Sequence, residues 1–82
     1  MERRTGFVGV IIEDRACVEA VNHVLSEYAF LILARLGLPK VSSGASVITL
    51  VVEATTDEMG ALAGSLGRIK GVSVKSALAK KG

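Results

Sequence analysis

Residues 55–76 read TTDEMGALAGSLGRIKGVSVKS, and they constrain the fold more than any other part of the chain. The stretch opens as helices typically do, because the Thr55 hydroxyl can cap free N–H groups while Asp57 and Glu58 lie at the positive end of the helix dipole. Apolar residues then recur at helical spacing, namely Met59, Leu62, Leu66 and Ile69. After Gly71, apolar and polar residues alternate as in a strand. We therefore predict a capped helix, a glycine turn and a strand.

Three glycines lie on a different face of this predicted helix. Gly60, Gly64 and Gly67 each cost about 1 kcal/mol relative to alanine inside a helix. Their shared flank is therefore a candidate close-packing face, on which another backbone approaches the helix. Either the other helix of the same chain or a partner chain or ligand can occupy it.

The rest of the chain supplies one helix and three strands. The predicted elements are a strand over 5–13, a helix that Asp14 caps, a strand over 30–36, an irregular connection over 37–44 and a strand over 46–53. The first helix has an apolar stripe of Cys17, Ala20 or Val21, Val24, Leu25 and Tyr28. The order βαββαβ predicts an α+β, ferredoxin-like sandwich, in which a four-stranded antiparallel sheet carries two helices on one face and strands one and three lie centrally.

Size and composition exclude several classes of protein. Eighty-two residues make one domain, spanning 1–82, and its core must be aliphatic because the chain has two Phe, one Tyr and no Trp. No apolar run approaches the roughly 20 residues that span a bilayer, and the first residues lack a signal peptide. One cysteine and a net charge of +2 favour a cytoplasmic protein that binds neither membrane nor nucleic acid.

The apolar pattern of the strands predicts that another protein chain covers the sheet. When both helices cover one face, the opposite face normally alternates to polar residues, yet strands one to three are apolar on both faces. A bare apolar face of that size exceeds what monomers normally expose. We therefore expect the chain to associate with itself through the sheet face, as a homodimer or a tetramer.

The sequence contains no recognisable active site, so we expect no enzyme, no cofactor and no metal within one chain. The acidic pairs Glu13-Asp14 and Asp57-Glu58 begin helices, where capping explains them. Cys17 and His23 lie six residues apart on one helix and point in different directions. Two alternatives stay open: a metal sensor in which these side chains converge from separate subunits, and a small dimeric enzyme of the ferredoxin-like type.

Four segments carry a resemblance to a known family. They are VGVIIEDR at 8–15, VNHVLSEY at 21–28, ARLGLP at 34–39 and TTDEMGALAGSLGRIKGVSVKSAL at 55–78. With these segments the chain resembles the small, stand-alone, ACT-like proteins named as regulators of the iron-only hydrogenase system. That family in turn is similar to the effector-sensing C-terminal domain of nickel-responsive repressors. The chain lacks the DNA-reading ribbon-helix-helix segment and the histidine-rich nickel site of those repressors, so we expect neither direct DNA binding nor nickel sensing.

The resemblance implies a regulatory module that binds a small-molecule effector between subunits. The expected site lies near the end of strand one and the connection after strand two, and its candidate residues are Glu13, Asp14, Arg35, Gly37 and Pro39. Arg35 is the expected anchor for an anionic group, because a guanidinium can bind a carboxylate through two hydrogen bonds. Covering the edge of the sheet is the alternative role for this side chain.

Overall fold

The computed structural model describes residues 2–80 and confirms the ferredoxin-like plan. The strands are β1 (Arg4–Ile12), β2 (Ile32–Leu38), β3 (Ser46–Ala54) and β4 (Val72–Leu78), and the helices are α1 (Val18–Glu27) and α2 (Thr56–Gly67). Two short 3-10 turns, Arg15–Cys17 and Ala29–Leu31, flank α1. All strand pairs are antiparallel in the order β2-β3-β1-β4, so strands one and three are central as predicted.

The predicted cap of α2 is present in full. The backbone N–H of Glu58 donates to Thr55 Oγ1 at 3.1 Å, and the backbone N–H of Thr55 donates to Glu58 Oε1 at 2.9 Å. This reciprocal pair satisfies two N–H groups that the first turn otherwise leaves without partners. The helix ends at Gly67, so Ile69 lies in the following turn, where it still packs against the core.

The second strand lies two residues later than the sequence pattern predicts. The 3-10 turn Ala29–Leu31 occupies the start of the predicted strand, because Leu31 is buried in the core there. A bulge between Ile32 and Ala34 then interrupts the alternation. At the other end, Leu38 pairs with Val47, so the irregular connection is shorter than the predicted 37–44.

The core lies between the helices and one face of the sheet. From the sheet it takes alternate residues of the central strands, among them Val8, Val10, Ile12, Ile48, Leu50 and Val52. From the helices it takes Val21, Leu25, Met59, Leu62 and Leu66. Val21 rather than the exposed Ala20 belongs to the stripe of α1. The residues between the inward-facing ones form the opposite surface, called here the open face, which neither helix covers.

The glycine flank of α2 is not packed against the other helix of the chain. A Cβ atom built at Gly60 or Gly67 would meet nothing within 4 Å, and one at Gly64 would meet only the Arg68 guanidinium at 3.9 Å. The interpretation that α1 fills this flank is therefore wrong, because the buried stripe of α2 points elsewhere. Contact of the flank with a partner chain stays a prediction.

Candidate functional site

A cleft of about 270 Å³ opens between the start of α1 and the ends of three strands. Its lining residues are Ile12, Arg15, Val18, Asn22, Arg35, Gly37, Leu38, Pro39, Ser46, Val47 and Ile48. Arg35, Gly37 and Pro39 were predicted site residues, and the fold brings these three to one cavity. The walls are mainly aliphatic, and none of the lining residues among 2–80 is acidic.

Arg35 crosses from the sheet to the helix layer. It is opposite Leu50 in the register, on the side of the sheet that carries the helices, and its Nη2 donates to Asn22 Oδ1 on α1 at 3.3 Å. Arg15 follows the capping residue Asp14; its backbone carbonyl accepts from the Val18 N–H, whereas its guanidinium makes no hydrogen bond or ion pair within residues 2–80. Two guanidinium groups without a carboxylate on the same wall favour an anionic ligand.

Gly37 makes room in the cleft. It is opposite the buried Ile48 on the helix side of β2, and a Cβ atom built there would meet nothing within 4 Å. The rim beside it is held by Ser46, whose hydroxyl donates to the Pro39 carbonyl at 2.7 Å. The absent side chain and the fixed rim together keep the space under α1 open.

Glu13 and Asp14, the other two predicted residues, do not line this cleft. The Asp14 carboxylate accepts from the backbone N–H of Ala16 at 2.9 Å and so caps the 3-10 turn that leads into α1. The backbone N–H of Glu13 donates to the Gly71 carbonyl at 2.9 Å, which ties this corner to the start of β4. Both residues are exposed at the β4 side, whereas the cleft lies at the β2 side. Their structural role, capping and closing a corner, explains their position.

The single cysteine and histidine do not converge within the chain. The Cys17 thiol donates to the Lys70 carbonyl at 2.8 Å and is half-buried. His23 is exposed on α1, and its Nε2 lies 3.8 Å from Glu27 Oε2. Across residues 2–80, no group of three or more His, Cys, Asp or Glu side chains could hold a metal ion. A metal site shared between subunits stays a prediction.

Sequence reasoning missed Arg15, Asn22 and Ser46 as lining residues. Asn22 lies outside the apolar stripe predicted for the first helix and is exposed, but its position in the sequence does not show that Arg35 reaches it. Arg15 lies within the VGVIIEDR segment, directly after the predicted capping residue, so its place at the start of the helix was open to inference. The contact between strand and helix depends on tertiary packing.

The comparisons with known proteins agree with this fold. The model of the TM1266-like family, described as "Iron-only hydrogenase system regulator, putative", matches residues 4–76. The chain belongs to this family. The solved structure of TM1266 from Thermotoga maritima, itself uncharacterized, is similar over 96% of this chain and 100% of its own, with 32% sequence identity and a TM-score of 0.89. The family and the ACT-like fold together support a regulatory role.

More distant structures share the architecture. The ACT domain of GTP pyrophosphokinase from Chlorobium tepidum has 18% identity and a TM-score of 0.76, covering 92% of this chain and 99% of its own. CPII, a PII-like nitrogen regulatory protein from Thiomonas intermedia K12 solved with ADP, AMP and bicarbonate, has 15% identity and a TM-score of 0.50, covering 98% and 100%. At these identities the likeness shows the fold alone. No curated protein sequence matches the chain.

Neither helix in the part of the chain that the structure describes is long and apolar enough to cross a membrane.

Proposed function

We propose that this chain is a non-enzymatic regulatory module of an iron-only hydrogenase system, and that it senses a small anionic effector in the cleft between α1 and β2. Membership of the TM1266-like family supports the link with the hydrogenase system. The observation that carries the effector site is the pairing of Arg15 and Arg35 on a mainly aliphatic wall. The module acts as a homo-oligomer in the cytoplasm, where its one thiol stays reduced.

The lining residues indicate the chemistry of the ligand. A carboxylate or phosphate group accepts hydrogen bonds from guanidinium groups in a geometry that matches their donors. Val18 and Ile48 offer apolar contact for a short hydrocarbon body. The volume of about 270 Å³ lies just below the range of about 300–1,000 Å³ that is typical of pockets for drug-sized ligands, so we expect a smaller molecule.

The same wall favours binding over catalysis. It has no histidine, cysteine or carboxylate that could transfer a proton, among the lining residues of 2–80. The one hydroxyl of this wall, on Ser46, donates a hydrogen bond to the Pro39 carbonyl and has no base beside it. A ligand held here would therefore leave chemically unchanged, as an effector does.

Titration of isotope-labelled protein with butyrate, followed by two-dimensional NMR, tests the proposal, and butylamine serves as the cationic counterpart of the probe. We expect butyrate to shift the amide signals of residues around Arg35 and Gly37, and butylamine to leave them unchanged. Arg35→Gln should weaken butyrate binding about tenfold or more, since a hydrogen bond to a charged group contributes about 1.5–3 kcal/mol.

Two further variants sharpen the test. Gly37→Val should abolish binding by filling the cleft, and the open space around its Cβ allows the strand to accept it. Arg68→Gln is the matched control, because Arg68 bonds to Ser65 on α2, outside the cleft. Equal shifts with butyrate and butylamine, or binding that survives Gly37→Val, would contradict the proposed site.

A further inference from the structure

The open face carries an exposed apolar surface across three strands. Its large members are Phe7 and Ile11 on β1, Val51 on β3, and Leu36 and Leu38 on β2, each between 40% and 67% exposed. At roughly 200 Å² for a fully exposed large side chain, these five present about 500 Å². Phe30, in the 3-10 turn that precedes β2, and Leu33, at the bulge of β2, are 66% and 61% exposed; with them the exposed apolar area on and beside the face is about 750 Å² by the same conversion.

This area indicates an interface. The largest apolar patch of a typical monomer is about 300–600 Å², and each partner of a standard interface buries about 800 Å². The apolar character ends at β4, where Ser73 and Lys75 occupy the same face beside Ile11 and Gly9. On the β4 side the apolar surface therefore has a polar margin, as protein interfaces do.

Gly9 forms a depression in the middle of this face. It lies between Phe7 and Ile11 along β1, and it pairs with Thr49 on one side and Lys75 on the other. A Cβ atom built at Gly9 would meet only the Lys75 carbonyl, at 3.9 Å, so this part of the open face accepts a Cβ atom without a clash. A glycine in the interior of a strand often marks the close approach of another group.

We propose that a second copy of this chain covers the open face and inserts an apolar side chain over Gly9. The face carries both projecting side chains, such as Phe7 and Leu36, and the depression that receives one. A twofold axis presents the same patch to itself, so each copy would supply one projection and one depression. The matching of area and of shape favours a second copy over an unrelated partner.

The same contact would reach the wall of the cleft, a conclusion that rests on the proposed function. Leu38 and Val47 pair with each other on the open face, and both also line the cleft. A copy seated on the face would therefore contact the wall of the cleft at these two residues. Effector binding and assembly are thereby coupled, since the ligand and the partner would contact these two residues from opposite sides of the sheet.

Sedimentation velocity at micromolar concentration tests the interface. We expect the wild-type protein to sediment at about twice 8.5 kDa. Gly9→Leu and Leu36→Asp should each raise the dissociation constant at least about 30-fold, as expected for a central interface side chain. The matched control is Ala20→Asp on the exposed side of α1, which should not change the mass.

Circular dichroism establishes that each variant is folded. Gly9→Leu keeps the test valid if Leu36→Asp does not fold, because a Cβ atom at Gly9 meets no clash in the monomer and the site lies on the open face. A monomeric wild-type protein would overturn the proposal, and so would a folded Gly9→Leu variant that dimerises normally.

The coupling is tested with butyrate on folded monomeric Leu36→Asp or, where that variant does not fold, on folded monomeric Gly9→Leu. Affinity at least about tenfold weaker than that of the wild-type dimer supports coupling, as expected for a typical allosteric interaction. Equal affinity would overturn the coupling alone. A dimeric wild-type protein that binds no butyrate would overturn the proposed function and the coupling, while supporting the interface.

Discussion

Removing the Thr55 hydroxyl tests whether the capping box holds the second helix in place. In Thr55→Val the side chain keeps its shape, but Glu58 N–H loses the acceptor that lies 3.1 Å away. The bond is partly buried, so water replaces it incompletely. Loss of an N-cap residue costs about 1 kcal/mol, within a range of about 0.5–2 kcal/mol. For a domain of this length, 1 kcal/mol lowers Tm by about 4–8 °C.

Thermal unfolding followed by circular dichroism measures the effect, at one protein concentration for all variants because self-association raises apparent stability. Thr55→Ser is the matched control, since it keeps the acceptor and should lose less than about half as much. Glu58→Gln keeps an oxygen that accepts from Thr55 N–H, but it removes the charge at the helix start, at a cost of about 0.3–1 kcal/mol. A Thr55→Val protein as stable as wild type would refute the reasoning.

Three glycine substitutions give different expected outcomes. Gly6→Ala should lower the free energy of unfolding by about 1–3 kcal/mol, because the new Cβ would collide with the Ala77 carbonyl and separate β1 from β4. Urea unfolding measures this loss, and an unchanged unfolding midpoint would contradict the prediction. Gly71→Ala should lower the free energy of unfolding by about 1 kcal/mol in the same assay, because φ at this residue is +84° and the new Cβ would lie 3.2 Å from Asp14 Cβ. A stabilised variant would exclude this explanation. Gly64→Ala should instead raise Tm through a gain of up to about 1 kcal/mol on an open helix surface, and a lower Tm would show that something covers this flank.

Much of the fold could be predicted from local signals. The α2 cap depends on residues three apart, Thr55 and Glu58, so the sequence shows both partners of both hydrogen bonds. The alternation of apolar and polar residues that ends at Lys75, and the glycine turn at Gly71, also depend only on residues that are close together in the sequence. Once the order of helices and strands was known, few topologies were compatible with it, which is why the central position of strands one and three followed.

The boundaries of β2 could not be predicted, because residues 30–36 are apolar on both sides and give no period to follow. Burial of Leu31 in a 3-10 turn and the bulge before Ala34 depend on how the strand meets the core. The cleft has the same origin. Arg35 and Asn22 are 13 residues apart and belong to a strand and a helix, so their hydrogen bond exists only when the two layers pack.

Tertiary structure also decides which face of the sheet is buried. Along β1, Val8 and Val10 face the helices, whereas Phe7 and Gly9 are left on the open face. Both sets are apolar, so hydrophobicity does not distinguish them. Alternation in a strand has a period of two and is unchanged when the two faces are exchanged. The packing of α1 and α2 breaks that symmetry, because it removes one face from water and leaves the other exposed.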